Sequence, residues 1–264
     1  MRAAILVSVS FIFACCGCEG GGGEERAFHS LPTAAAHTLD SLPYRFDVTI
    51  ELRSNGSKVV GHGHGAGDRD TMEETVRYPP VVGRDERPPS RYLLDEREGR
   101  LDSYVDNPAP DMAGGKHWLK FDLLPTFHRY GLEPSDVPGA NLRSPTRFFE
   151  ALRRFHSNIR KVGTETVGGT TLTRYHVHLD DNDIVRSASP AKRPAVRQLL
   201  GMANVQLDAD VWVDESGMIT RLRQKEHRAA EVTVQTLRFH DWGKPFTFQL
   251  PPPDDVADGN TLGR

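Results

Sequence analysis

Cysteine is scarce in this sequence and confined to one place. The 264 residues include three cysteines, Cys15, Cys16 and Cys18, all near the N-terminus. A disulfide needs two cysteines, and a thiolate metal site needs several at ligand spacing. We therefore expect the folded part of the chain to contain neither.

The sequence also lacks an excess of charge of either sign. Lysine and arginine number 33 and aspartate and glutamate 36, which gives a net charge of −3. This balance excludes the basic excess of a nucleic-acid-binding domain and the acidic excess of a solvated disordered chain. We therefore predict no nucleic-acid partner.

Motifs of several enzyme classes are missing as well. The sequence contains no HExxH metalloprotease motif, no G-x-S-x-G nucleophile elbow, no phosphate-binding P-loop and no G-x-G-x-x-G that opens a helix. We therefore predict no catalytic residue, no metal, no cofactor and no enzyme activity.

A long hydrophobic run occurs at the N-terminus. Residues 3–14 form a 12-residue apolar stretch behind Met1 and Arg2. As a helix the stretch would span about 18 Å, less than the ~30 Å hydrocarbon core of a bilayer. The pattern is typical of a secretory signal peptide, which we assign to residues 1–14.

The end of the predicted signal peptide contains a second motif. The sequence Ile12-Phe13-Ala14-Cys15 resembles the lipobox of bacterial lipoproteins. The resemblance implies that Cys15 is acylated and anchors the chain to the cell membrane, on its extracytoplasmic face. Acylation of Cys18 is one alternative, and an ordinary cleaved signal with incidental cysteines is another.

A glycine-rich segment follows the cysteines. Glu19 is followed by four glycines and two more glutamates, a composition that favours a flexible linker. We assign residues 15–40 to a flexible tether, residues 41–258 to one folded domain and residues 259–264 to a disordered tail.

Alternation of apolar and polar residues predicts many strands. The first such strand begins at residue 44 and has an apolar face formed by Tyr44, Phe46, Val48, Ile50 and Leu52. Further strands are predicted at residues 57–67, 71–78, 91–97, 100–105, 117–123, 160–167, 170–179, 205–214, 218–228 and 231–239. Trp118 and Trp212 lie at positions of polar parity in their strands, which indicates either a covered outer face or hydrogen-bond partners for the indoles.

Two helices are predicted among these strands. The first has Ser144 as its N-cap and Pro145 at its first position. Its apolar stripe is Phe148, Phe149, Leu152 and Phe155. Ser189 and Pro190 are candidates to open the second, although Pro194 indicates that its regular part begins later, and its stripe is Val196, Leu199, Leu200 and Ala203. Many antiparallel strands with helices on one face predict an α+β fold.

Several motifs together resemble a known family. They are GKHWLKFD at residues 115–122, VGTETVGG at 162–169 running into TRY at 173–175, VWVDESGMI at 211–219 and FHDWGKP at 239–245. Together they resemble LppX/LprG-type cell-envelope lipoproteins, whose fold is similar to that of the lipoprotein carrier LolA. Residues 61–89 are richer in His, Gly and Pro than a strand pair of this family, so we expect an interruption of the sheet there.

The resemblance implies a curved antiparallel sheet, or half-barrel, with helices on its concave face. It also implies a hydrophobic cavity that takes acyl chains of a lipid or glycolipid, in a monomer that serves transport or presentation in the cell envelope. The residues that we expect to line the cavity are Phe46, Val48, Ile50, Leu119, Phe121, Phe148, Phe149, Leu152, Val196, Leu199, Leu200 and Val211.

Two other interpretations remain open. A filled or small cavity would make the protein an envelope sensor or partner-binding module without lipid cargo. Paired histidines, either His62 with His64 or His176 with His178 and Asp180, could bind zinc and make the protein a metal-dependent hydrolase. We favour a solvent-facing polar row for these histidines.

Overall fold

The computed structural model describes residues 30–54, 56–80, 88–107, 110–137, 144–154, 158–200, 206–228 and 231–261. The predicted signal peptide, Cys15 and Cys18 lie outside these ranges, as do Phe155 and Ala203 of the predicted helical stripes. Within the described residues, the helices are α1 (Leu31–Asp40), α2 (Leu124–Arg129), α3 (Pro145–Arg154), α4 (Asp181–Ser187) and α5 (Arg193–Leu200).

The same residues form twelve strands. These are β1 (Tyr44–Ser54), β2 (Ser57–Gly67), β3 (Thr71–Arg77), β4 (Ser90–Asp95), β5 (Asp102–Asp106), β6 (Trp118–Asp122), β7 (Ile159–Val167), β8 (Thr170–Asp180), β9 (Gln206–Asp214), β10 (Ile219–Arg228), β11 (Glu231–His240) and β12 (Val256–Asp258). The predicted strands are confirmed, with bounds that agree to within about two residues.

All twelve strands belong to one sheet. Their order is β12-β6-β5-β4-β3-β2-β1-β11-β10-β9-β8-β7, and neighbouring strands are antiparallel except for β12, which runs parallel to β6. Strand β1 lies in the middle of the sheet and pairs with β2 on one side and β11 on the other. The sheet is curved and open, so the predicted α+β half-barrel is confirmed.

The side-chain alternation of β1 determines which face is buried. Tyr44, Phe46, Val48 and Ile50 are buried and point to the same side, because side chains two apart in a strand share a face. We call this side the concave face and the other the convex face. The main hydrophobic core lies between the concave face and the helices.

A stripe of glycines shapes the concave face, and the expected interruption of the sheet at residues 61–89 is wrong for its described part. Gly61, Gly63, Gly65 and Gly67 of β2 lie opposite the apolar side chains of β1. A Cβ atom on Gly65 would lie 2.2 Å from Cζ of Phe46. Glycine is needed because aromatic rings of β1 lie across the backbone of β2. Residues 81–87 lie outside the described ranges.

The predicted helices are present on the concave side. Helix α3 begins after Ser144, whose side chain accepts a hydrogen bond from the backbone N–H of Arg147 at 3.5 Å. Its residues Phe148, Phe149 and Leu152 are fully buried. Helix α5 begins at Arg193, which confirms the later start indicated by Pro194, because proline suits the first turn of a helix and not its interior.

Helix α1 corrects the predicted tether. Ser30 caps the helix, and Leu31, Ala34, Ala35 and Leu39 on its inner side are buried in the same core as α3. Residues 30–40 therefore belong to the folded domain and are not a flexible tether. In the part of the chain that the structure describes, no helix is long and apolar enough to cross a membrane.

The C-terminal segment packs on the convex face near the edge of the sheet that β12 forms. Phe248 and Val256 contact the buried side chains of Leu93, Tyr104 and Trp118. The backbone N–H of Gly259 then donates to the carbonyl oxygen of Lys120 at 2.7 Å. Residues 259–261 are thus part of the domain, which corrects the predicted tail, and residues 262–264 lie outside the described ranges.

Candidate functional site

Most of the predicted cavity residues meet in one packed core. Nine are buried in a single cluster, namely Phe46, Val48, Ile50, Phe148, Phe149, Leu152, Val196, Leu200 and Val211. Leu199 is partly buried against them. Leu119 and Phe121 lie on the concave face of β6, the second strand from the edge of the sheet, and are only half-buried. At the cluster, side chains fill the space between sheet and helices.

An aromatic cluster closes one end of the concave face. Tyr44 and Phe46 of β1, Phe239 of β11, Phe149 of α3 and Trp242 lie with ring centroids 5.4 to 6.3 Å apart. Such edge and tilted contacts are favourable for aromatic pairs. We call this region the closed end.

Polar contacts fix α3 over the closed end. The hydroxyl of Tyr44 lies 3.2 Å from Oγ1 of Thr146, and that Thr146 hydroxyl donates to the backbone carbonyl of Asp68 at 2.8 Å. Burial raises the pKa of Tyr44 far above its ordinary value, so the phenol stays neutral. Arg147 forms an ion pair with Glu96, whose pKa is raised, chiefly by burial.

The opposite end of the concave face is open. Leu52 and Val59 are directly opposite each other across β1 and β2, with 40% and 38% of their surfaces exposed. Ile50, two residues before Leu52 on the same face, is 6% exposed. The apolar side chains therefore pass from the core at Ile50 to solvent at Leu52 and Val59. We call these three residues the apolar row and the exposed region around Leu52 and Val59 the open end.

Buried polar side chains lie beside the apolar row. The Gln235 amide donates to Oε2 of Glu74 at 2.9 Å, although Glu74 is only 2% exposed. Gln235 is the cross-strand neighbour of Ile50 on one side and of Gln224 on the other. A mainly apolar surface with a few fixed polar groups is the usual composition of a small-molecule site.

Sequence reasoning did not select these polar residues. The alternation of β11 could have identified Gln235, because it lies two residues before Leu237 and four before Phe239, both on the concave face. Leu52 was assigned to the apolar face of β1 but not to the site. Its exposure depends on where the helices end, which alternation does not specify.

The paired histidines lie on the convex face and contact other polar groups. Nδ1 of His176 is 3.2 Å from a carboxylate oxygen of Asp210, and Nδ1 of His178 is 2.8 Å from one of Asp208. Nδ1 of His62 is 3.2 Å from Oγ1 of Thr49. Among the described residues, no three His, Cys, Asp or Glu side chains are arranged to hold a metal ion.

An open cleft of about 420 Å³ lies away from the predicted cavity residues. Its walls come from the end of α1, the start of β1 and the turn between β2 and β3. The lining residues are Leu39, Asp40, Leu42, Pro43, Asp68, Arg69 and Asp70. Because three of the seven are aspartates, this cleft is not suited to an acyl chain.

Comparison with known proteins gives distant similarities. No family model matches the chain. An uncharacterized 31.2 kDa protein from the rplA-rplJ intergenic region of Streptomyces griseus is 24% identical over 197 residues, which cover 71% of this chain and 61% of that protein. The chain thus spans less than two thirds of the length of this curated relative.

Two solved lipoproteins are similar in fold. LppX of Mycobacterium tuberculosis is 13% identical with a TM-score of 0.42, and the match covers 82% of this chain and 97% of LppX. LprF of Mycobacterium bovis is 10% identical with a TM-score of 0.39, and the match covers 84% of this chain and 96% of LprF. LppX belongs to the type that the sequence motifs resemble, and the similarity is one of fold alone.

Proposed function

We propose that this domain binds the aliphatic chain of a lipid or another amphiphile at the open end of the concave face. The observation that carries the proposal is the apolar row in which buried Ile50 leads to exposed Leu52 and Val59. Exposed neighbours of this kind in a half-buried sheet offer a place where an aliphatic chain replaces water. The role is binding, for transport or presentation of the amphiphile, and not catalysis.

The chemistry of the open end fits an amphiphile better than a purely apolar ligand. Each methylene removed from water contributes about 0.8 kcal/mol, so a chain of several carbons along Leu52 and Val59 would be held without a charged contact. The amide of Gln235, which already donates to Glu74, lies opposite Ile50 on the neighbouring strand and offers hydrogen bonds to a polar group of the amphiphile.

The proposal includes attachment to the cell membrane through acylated Cys15, on the extracytoplasmic side. One cysteine that carries two or three acyl chains provides the multi-chain anchoring that stable membrane association requires. We expect Cys15→Ala to lose its acyl chains and Cys18→Ala to keep them. The reverse result would move the anchor to Cys18.

Fluorescent fatty acid titrated into the full chain tests the binding site. Leu52→Asp places a charge in the apolar row and should weaken binding at least tenfold, because a charge in contact with an aliphatic chain is costly. Val167→Asp is the matched control, since Val167 is 53% exposed at the end of β7, the far edge strand. Equal affinities of the two variants would contradict the proposed site.

A second candidate function follows from the filled closed end. Nine predicted cavity residues pack in one core, as expected for a sensor or partner-binding domain without lipid cargo. In that case the open end would contact a protein and would show no affinity for free fatty acid. The same titration separates the two functions, because the sensor predicts no saturable binding even for the unmodified chain.

A further inference from the structure

The convex face of β10 is unusually basic. Side chains of alternate residues share a face, and those of β10 on the convex side are Arg221, Arg223, Lys225 and His227. Arg238 of β11 lies directly opposite Arg221. We call these five side chains the basic stripe. It runs near the middle of the sheet, with successive charges about 6.8 Å apart along β10.

Carboxylates of the neighbouring strands neutralise the stripe in part, since Asp208 and Asp210 of β9 lie opposite Lys225 and Arg223, and Asp47 of β1 lies opposite Arg238. Asp210 of β9 pairs with Arg174 at 2.8 Å and lies 3.8 Å from Arg223. In the ranges that the structure describes, neither Arg221 nor Arg238 forms an ion pair with a carboxylate. Like charges directly opposite each other across two strands are destabilising, so the pair of Arg221 and Arg238 favours contact with an external anion.

A tryptophan holds the stripe in place. The guanidinium carbon of Arg221 lies 4.3 Å from the ring centroid of Trp212, and that of Arg174 lies 5.3 Å from it. Trp212 is only 4% exposed, so it serves as a rigid base on which arginines stack. Burial, followed by the positive charges of Arg238, Arg223 and Arg174, lowers the pKa of Arg221, while Glu165 opposes this effect.

Trp118, which also lies on the convex face, has different surroundings from Trp212. Arg91 stacks on it at 4.3 Å, but Phe248 and Val256 of the C-terminal segment complete a small hydrophobic cluster around it. Trp212 is instead covered by the guanidinium groups, and Arg238 beside them is exposed. The convex face is thus closed by the chain itself at Trp118 and presents charge at Trp212.

We propose that the basic stripe docks the convex face on an anionic phospholipid surface, with the arginines contacting lipid phosphates. Arginine binds phosphate oxygens through paired N–H donors. The charges are spread along a strand and do not converge on one point, which suits an extended anionic surface better than a single ion. This docking is independent of the ligand at the open end.

Vesicle binding by the full chain tests the docking. Vesicles of phosphatidylglycerol with phosphatidylcholine are compared with vesicles of phosphatidylcholine alone, at low ionic strength. The Arg221→Gln/Arg238→Gln variant should bind the anionic vesicles roughly 25-fold more weakly, about fivefold for each arginine. Binding to neutral vesicles, to which the N-terminal segment contributes equally in every variant, should not change.

The matched control is Arg129→Gln/Arg197→Gln. It removes the same charge from exposed positions on α2 and α5, which lie over the concave face. Equal losses in the control and the test variant would show a net-charge effect and overturn the proposal. Equal binding of the unmodified chain to both kinds of vesicle would overturn it too.

A single variant and a competition with inorganic phosphate are two further tests of the docking. If the double variant does not fold, Arg238→Gln alone, at an exposed position, should still lose about fivefold. Inorganic phosphate at matched ionic strength should not displace the chain from anionic vesicles. Displacement by phosphate would identify a small-anion site instead and overturn membrane docking.

Discussion

The two ends of the concave face are built on the same strand but have different surroundings. At the closed end, Tyr44 and Phe46 pack beneath α3 among other aromatic rings. At the open end, Leu52 continues the same alternation yet is 40% exposed. The alternation of β1 therefore determines the face of each side chain, and the packing around that side chain determines whether it is buried or exposed.

One row across the sheet shows the same difference. Leu179 of β8 lies opposite Leu207 of β9, and the row continues through Glu226 and Thr233 to Leu52. Leu179 and Leu207 are 0% and 4% exposed. Leu179 and Leu207 are therefore buried and Leu52 is exposed, although the three leucines lie in one row across the sheet. Substitutions of these leucines compare the two environments directly.

The largest expected effect is at the closed end. Phe149→Ala removes a fully buried ring that contacts Phe239 and should cost about 3–5 kcal/mol of unfolding free energy. For a domain of this size, that corresponds to a fall in melting temperature of roughly 10 °C. Phe121→Ala, which removes a half-buried ring on the same face, should cost clearly less. A small loss for Phe149→Ala would contradict the description of a filled closed end.

The glycine stripe should show an intermediate effect. A Cβ on Gly63 would lie 1.8 Å from the backbone oxygen of Thr75, whereas one on Gly61 would meet the side chains of Tyr78 and Val76 at 2.6 and 2.7 Å. Because side chains move more easily than a paired strand, Gly63→Ala should cost about 1–3 kcal/mol and Gly61→Ala less. Chemical denaturation measures both, and the reverse order would contradict the packing at the open end.

Acid should weaken the helices that cover β8 and β9. The Asp180 carboxylate caps α4 by accepting from the backbone N–H of Asp183, which lowers the pKa of Asp180. A lowered pKa contributes stability above the unfolded value near 4, and this contribution is lost as the pH falls through the folded value. Asp180→Ala should therefore cost about 1 kcal/mol at neutral pH.

Urea unfolding at neutral pH and at about pH 2 measures this contribution, because a protonated Asp180 no longer caps as an anion. The difference between the unmodified chain and Asp180→Ala should shrink in acid. Glu215→Ala, in an exposed turn, is the control and should change little at either pH. A difference that persists unchanged in acid would exclude the ionised cap.

The smallest effect on stability is expected at the open end. Leu52→Ala should change the unfolding free energy by no more than about 0.5 kcal/mol, while Leu207→Ala in the same row should cost about 2–5 kcal/mol. Thermal melts of the two variants measure the difference. Equal losses would show that Leu52 belongs to the core and would remove the open end as a surface.

The sequence was sufficient to predict strands β1 to β11 and the buried face of β1, because a period of two is visible without tertiary information. The three-residue strand β12 was not predicted, since it is too short to show this period. Helix α1 was missed because its buried face contains small alanines, Ala34 and Ala35, directly after a glycine-rich segment. Helix α4 carries a local signal that could have been used, the reciprocal capping of Asp180 and Asp183.

The division of the concave face into a closed end and an open end could not be predicted from the alternation of apolar and polar residues. Phe46 and Leu52 have equivalent positions in the β1 pattern, but Phe46 packs against the rings of Tyr44 and Phe239, whereas Leu52 is 40% exposed. The Gln235–Glu74 pair joins residues 161 positions apart. Such a contact depends on strand order, which follows from the whole sheet and not from any local pattern.

Native mass spectrometry of the full chain, purified from cell membranes without added lipid, tests the central claim most directly. The proposal predicts a noncovalent adduct with the mass of an acyl-chain lipid, retained by the unmodified chain and by Val167→Asp and lost from Leu52→Asp. If the unmodified chain carries no such adduct, or if Leu52→Asp retains it fully, the open end is not an amphiphile-binding site.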